Sequence, residues 1–133
     1  CDGALLIGDR ALVAAESYPD MIRLDLGREW KRVTGLPMVF GVFACRKDAP
    51  KQDLLAAHAD LIRQYHRFEN DEIFRTEVIS KSAKQVGAEE ERIARYFQNE
   101  VRNLMDAKAK EGLLRFLSEV CGMTEDPVWF SPS

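Results

Sequence analysis

Apolar residues in the first fifty positions form short runs that are separated by charged residues and turns. Three of these runs are typical of strands, at residues 4–7, 21–26 and 38–45. The third is the strongest, because β-branched and aromatic side chains fill it directly after Pro37. Apolar residues at helical spacing predict short helices over residues 10–16 and 27–33. Strands that alternate with helices predict an α/β fold for this region.

The pattern changes to helix after Pro50, a residue that suits the first turn of a helix. A stripe of apolar residues three and four positions apart runs from Leu54 to Tyr65. Further helices are predicted over residues 71–86, from residue 88 onward and over residues 107–121. The short strands with helices are thus followed by a helical C-terminal region.

Composition excludes several classes of protein. The chain has 133 residues, 46% hydrophobic and 31% charged, which suits one folded domain and is too apolar for intrinsic disorder. A net charge of −3 gives no general attraction to nucleic acid or to an anionic membrane. No apolar run approaches the ~18 residues of a transmembrane helix. Three cysteines without a CxxC pair predict a reducing, cytoplasmic location, with Cys45 and Cys121 as buried thiols.

The segment Ile7-Gly8-Asp9 is the first candidate for a binding site. A predicted strand ends there, glycine lets a ligand approach the backbone closely, and a helix begins. The first turn of a helix presents N–H groups that bind carboxylates or phosphates. The alternative is that Gly8 only makes a turn and Asp9 only caps the helix. The local pattern favours this simpler interpretation, because the charge of Asp9 opposes an anion unless it faces away.

Thr34 and Gly35 are the second candidate, in a loop that leads into the strongest predicted strand. Either their hydroxyl and N–H groups line a cleft, or they only end a helix before a strand begins, and local chemistry favours the second interpretation. His58 and His66 lie more than two helical turns apart, too far to share a metal ion as an i, i+4 pair does. The pattern assigns no catalytic residue.

Three sequence blocks occur in order: LIGDRAL at residues 6–12, LDLGREW at 24–30 and TGLPMVFGVFA at 34–44. Together they resemble the chorismate dehydratase family of the futalosine route to menaquinone. The stretch GLLRFL at residues 112–117 is similar to the end of that family. A sister family, which releases dihydroxynaphthoate from a futalosine-derived intermediate, shares the second block and the Thr-Gly-Leu-Pro motif. That family usually continues with a Leu-Pro-Leu-Gly-type strand, so the sequence after Pro37 favours the dehydratase.

The resemblance implies that this chain is the C-terminal half of a two-lobed, periplasmic-binding-protein-like (type II) α/β fold. Residues 1–47 would form part of the second lobe and a hinge-crossing strand. Residues 48–133 would be a helical segment that packs on the first lobe, whose N-terminal part is absent. The missing N-terminal half is therefore an expected partner, and a homodimer stays open as an alternative.

The implied reaction eliminates water from chorismate and gives an aromatic enolpyruvyl-oxybenzoate. Aromatisation drives it, so no metal or redox cofactor is expected. The implied substrate-binding residues are Ile7, Gly8, Asp9, Thr34 and Gly35. Half a cleft cannot enclose the substrate, so we expect the chain alone to have almost no catalytic activity. The alternatives are the sister lyase and a non-catalytic small-anion solute-binding protein, because fold does not fix function.

Overall fold

Helices make up all the regular secondary structure in the computed structural model of the chain, which describes residues 2–21 and 23–132. The α-helices are α1 (Asp9–Ser17), α2 (Leu26–Thr34), α3 (Lys51–Asn70), α4 (Glu72–Val86), α5 (Glu90–Arg95) and α6 (Ala107–Glu119). A π-helical turn, Tyr96–Glu100, continues α5. The described part of the chain is therefore all-α.

The predicted α/β fold is wrong. Residues 4–7 and 38–45 have no regular structure, and no backbone hydrogen bond joins either segment to a neighbouring strand in the described chain. Leu26, the last residue of the predicted strand at 21–26, is the first residue of α2. Ile22 of the same predicted strand lies outside the described residues. A strand forms only when a neighbour takes up its backbone groups, whatever its side chains favour. The hinge-crossing strand and the periplasmic-binding-protein-like architecture are wrong for the same reason.

The segments that form no strand expose apolar side chains. Leu5 and Ile7 are 82% and 84% exposed, and Phe40 and Phe43 are 72% and 85% exposed. Cys45, at the end of the second segment, is exposed as well, and so is Cys121. The prediction of buried thiols is therefore wrong, because it assumed packed surroundings that these segments lack.

The helix predictions are confirmed, with small shifts of the ends. Asp25 caps α2 by accepting a hydrogen bond from the Arg28 N–H at 3.0 Å, and Asp71 caps α4 in the same way. Gly35 and Gly87 end their helices in the left-handed region, with φ of 76° and 74°. These ends depend on groups only a few residues apart, so the local sequence is enough to specify them.

Contacts divide the chain into two units. The first contains Cys1–Arg23 and Tyr65–Asn103, and the second contains Leu24–Gln64 and Leu104–Ser133. In the first unit α4 packs against α5, with Ala83 and Ile93 buried. In the second unit Leu36 is buried. Each unit carries one of the two candidate segments.

Candidate functional site

The first candidate segment opens α1 with an uncapped helix N-terminus. Gly8, not Asp9, is the N-cap residue, and its φ of 64° lies in the region that favours glycine. The Gly8 carbonyl accepts hydrogen bonds from the N–H groups of Ala11 at 2.9 Å and Leu12 at 3.2 Å. No side chain caps the helix, and Asp9 is its first residue. The prediction that Asp9 caps α1 is therefore wrong, and this end of the helix stays open.

An open hollow of about 380 Å³ lies beside α1. Its lining residues are Asp9, Arg10, Val13, Ala14, Ser17, Tyr18 and Val86. Arg10 has no carboxylate within ion-pair distance in the part of the chain that the structure describes. A guanidinium beside a helix N-terminus can hold a small carboxylate, since both favour negative charge.

Sequence reasoning identified Asp9 but missed Arg10 and Tyr18. A signal was present, because residues 10, 13, 14 and 17 follow the spacing that puts side chains on one face of a helix. That face carries Arg10 at one end and the exposed Tyr18 just beyond the other. The role of Ile7, Gly8 and Asp9 in substrate binding stays a prediction.

The second candidate segment uses its polar groups to end α2. The Thr34 hydroxyl donates to the Trp30 carbonyl oxygen at 2.7 Å and accepts from the Leu36 N–H at 3.1 Å. The Gly35 N–H donates to the Lys31 carbonyl oxygen at 2.8 Å. Both groups that were expected to face a cleft are thus engaged in holding the turn. Substrate binding by Thr34 and Gly35 stays a prediction, and any such contact shares these groups with the helix end.

One face of α6 supports the segment that follows α2. Phe116 meets Trp30 edge to face, with ring centroids 5.5 Å apart and planes at 76°. Arg115 donates through Nη1 to the Thr34 carbonyl oxygen at 3.4 Å. Gly112, one turn earlier, is buried against the Pro37 carbonyl group. The turn at residues 34–37 is therefore fixed from outside as well as by its own hydrogen bonds.

The described residues contain no group of three or more His, Cys, Asp or Glu side chains that could hold a metal ion. His58 lies beside Phe130, with ring centroids 6.0 Å apart, and His66 lies beside Tyr65. No helix in residues 2–21 and 23–132 is long and apolar enough to cross a membrane.

A family model described as menaquinone biosynthesis matches residues 1–120. The chain belongs to the menaquinone biosynthesis family. No solved structure matches it.

This menaquinone biosynthesis protein has all three family-like sequence blocks inside the matched residues. The block at 6–12 contains Gly8 and the first half of α1, and the block at 24–30 contains the Asp25 cap. The third block begins with the turn that α6 supports. Both candidate segments thus lie inside the family match, whereas the last residues of the chain lie outside it.

Proposed function

We propose that this protein is a carbon–oxygen lyase of menaquinone biosynthesis that dehydrates chorismate. The observation that carries the proposal is the family match over residues 1–120, which contains the three blocks in order. The hollow beside α1 supports it, because chorismate carries two carboxylates and Arg10 is a cation without a carboxylate partner in the described chain.

In the proposed reaction chorismate loses a ring hydroxyl and a ring proton, which leave together as water. Arg10 and the open N-terminus of α1 bind one substrate carboxylate, and Gly8 lets that carboxylate reach the backbone. Asp9 orients the start of the helix beside it. Thr34 and Gly35 are retained as proposed substrate contacts. These residues bind and orient the substrate, and this orientation lowers the entropy cost of reaching the transition state.

We further propose that a second polypeptide segment completes the site. The support is the exposure of residues 4–7 and 38–45, whose apolar side chains and backbone groups lack partners in the described chain. A site that lacks the second segment is open to water, so we expect the 133-residue chain alone to have almost no catalytic activity. The exposed free thiols of Cys45 and Cys121 favour a reducing, cytoplasmic location.

The test uses the product of the complete gene that encodes this sequence, incubated with chorismate and no added cofactor. We expect ultraviolet absorption of an aromatic product to grow while the mass of chorismate falls by one water. Arg10→Met should raise KM, because a carboxylate contact is lost. Arg63→Met is the matched control, since Arg63 pairs with Asp60 on the exposed surface of α3. Unchanged chorismate would contradict the proposal, and release of dihydroxynaphthoate from a futalosine-derived substrate would establish the sister lyase instead.

A further inference from the structure

Helix α6 has no side chain at the point where it meets the turn after α2. Gly112 is buried there, and a Cβ added to it would overlap the Pro37 carbonyl oxygen. The same Cβ would lie 3.4 Å from the Leu36 Cβ. The overlap is with backbone, which cannot swing aside as the end of a flexible side chain does. Glycine at position 112 therefore permits the observed approach of Pro37 to α6.

Two further residues on the same face of α6 contact the same region. Arg115 lies three positions after Gly112 and Phe116 four, which places all three on one side of the helix. Arg115 donates to the Thr34 carbonyl oxygen, and Phe116 packs against Trp30 in the last turns of α2. The turn at residues 34–37 is thus held at two points by one helix face, through Gly112 and Arg115, while Phe116 packs on the helix before the turn, and Gly112 makes the closest approach.

We propose that Gly112 is a positioning residue for the substrate. It touches no substrate itself, but it fixes the backbone of residues 34–37, which include the proposed substrate contacts Thr34 and Gly35. The inference rests on the proposed function for its effect on catalysis. The structural part of the proposal, that Gly112 sets the conformation of the turn, depends only on the observed contacts. Arg115 also holds this backbone in place, through its hydrogen bond to the Thr34 carbonyl oxygen.

The first test compares Gly112→Ala with Gly27→Ala. Both glycines lie in helices, Gly27 in the first turn of α2 and Gly112 in the interior of α6, so both substitutions introduce a stronger helix former. At Gly27 the new Cβ would lie 2.7 Å from Phe40 Cζ, the end of an exposed ring that can turn away. We expect Gly112→Ala to shift the backbone amide resonances of Gly35 and Leu36, and Gly27→Ala to leave them in place.

The catalytic readout is the Michaelis constant for chorismate, measured on the complete gene product. Gly112→Ala should raise KM roughly ten- to hundredfold, because a turn displaced by a fraction of an ångström to an ångström loses its proposed contacts with the substrate. The value of kcat should change less than about threefold, since only binding is weakened. A general loss of stability would instead lower the active fraction, which reduces apparent kcat and leaves KM unchanged.

A second variant keeps the proposal testable if Gly112→Ala fails to fold. Arg115→Met removes the donor to the Thr34 carbonyl group and adds no atom near Pro37. Glu119→Gln is its control, because it removes the negative charge from the side chain that lies 2.9 Å from Arg115 and leaves the Thr34 contact in place. Arg115→Met should move the same amide resonances and raise KM, and Glu119→Gln should do neither.

The proposed function and the positioning role of Gly112 are contradicted by different results. If the wild-type protein leaves chorismate unchanged, the proposed function is wrong, and the amide resonances alone decide whether Gly112 sets the turn. If Gly112→Ala and Arg115→Met leave the Gly35 and Leu36 resonances in place, the positioning proposal is overturned. A lowered unfolding midpoint with unchanged KM overturns it as well.

Discussion

Arg92 donates two hydrogen bonds of 2.9 Å to the carboxylate of Glu100, across the π-helical turn that ends α5. Arg92 is only 8% exposed, and a second carboxylate, that of Glu16 in α1, lies 3.9 Å from its Nε. A charge that is this deeply buried needs partners, because its lost hydration is otherwise uncompensated. The arrangement ties α1 and the π-helical turn to α5 within the first unit.

The first prediction concerns this ion pair. Glu100→Gln should destabilise the protein by about 1–3 kcal/mol, because it leaves the Arg92 charge buried with the more distant Glu16 as its carboxylate partner. Arg92→Met should cost less, since it removes the buried charge itself and leaves Glu100 free to be solvated. Urea unfolding of the two variants checks this order. A larger loss for Arg92→Met than for Glu100→Gln would show that packing, not charge, dominates here.

The second prediction concerns the aromatic contact in the second unit. The Trp30 indole Nε1 is buried and has no acceptor in the described part of the chain, which is a cost to the folded state. Trp30→Phe removes that donor and keeps a ring against Phe116, so we expect a loss below about 1 kcal/mol. Phe116→Ala should cost about 2 kcal/mol, because the half-buried ring leaves a gap. Thermal unfolding measures both, and equal losses would contradict the account.

The third prediction concerns the pH dependence of α4. The backbone N–H of Phe74 holds the pKa of the Asp71 carboxyl below its usual value, desolvation opposes this effect, and the side chain of Arg67 adds a smaller lowering. A carboxyl whose pKa is lowered in the folded state stabilises the protein above its unfolded pKa. This contribution disappears as the pH falls below about 4 and through the folded pKa.

The test of that pH dependence is Asp71→Asn, which keeps a capping group and removes the charge. The variant should be less stable than wild type at neutral pH and equal to it in acid. Glu77→Gln, in the middle of α4, serves as the control. A difference between Asp71→Asn and wild type that is the same at every pH would contradict the assignment.

The fourth prediction concerns the C-terminal segment, which lies beyond the residues that the family model matches. Its Trp129 ring lies 4.3 Å from the Lys110 ammonium of α6, and its Phe130 ring lies beside His58 of α3. Lys110→Met should weaken this docking by about 0.5–1 kcal/mol and shift the emission of Trp129. Lys108→Met on the same helix is the control. Unchanged emission in Lys110→Met would show that the segment docks without the cation.

How far the sequence predicted the fold depends on how local each interaction is. Asp25, Gly35 and Gly87 end or begin helices through partners within four residues, so their roles were visible in the sequence. The run at 38–45 has strand composition, but strand formation needs a partner segment, which the local pattern does not contain. Its exposed Phe40 and Phe43 show that composition alone misled the prediction.

The same distinction holds for the candidate site. The open end of α1 at Gly8 was predicted as a turn that starts a helix, and the structure has that turn. The contact between Gly112 and Pro37 joins residues far apart in the chain, so no spacing rule reveals it. The helical spacing of Arg10 and Ser17 is visible in the sequence, and it places both on the face of α1 that lines the hollow.

A competition between two substrates distinguishes a chorismate dehydratase from the sister lyase. The complete gene product is incubated with equal amounts of chorismate and the futalosine-derived substrate of the sister lyase, and mass spectrometry follows both. We expect chorismate to lose one water and become aromatic while the other compound stays intact. Intact chorismate, with or without release of dihydroxynaphthoate, would contradict the assignment of this chain as a chorismate dehydratase.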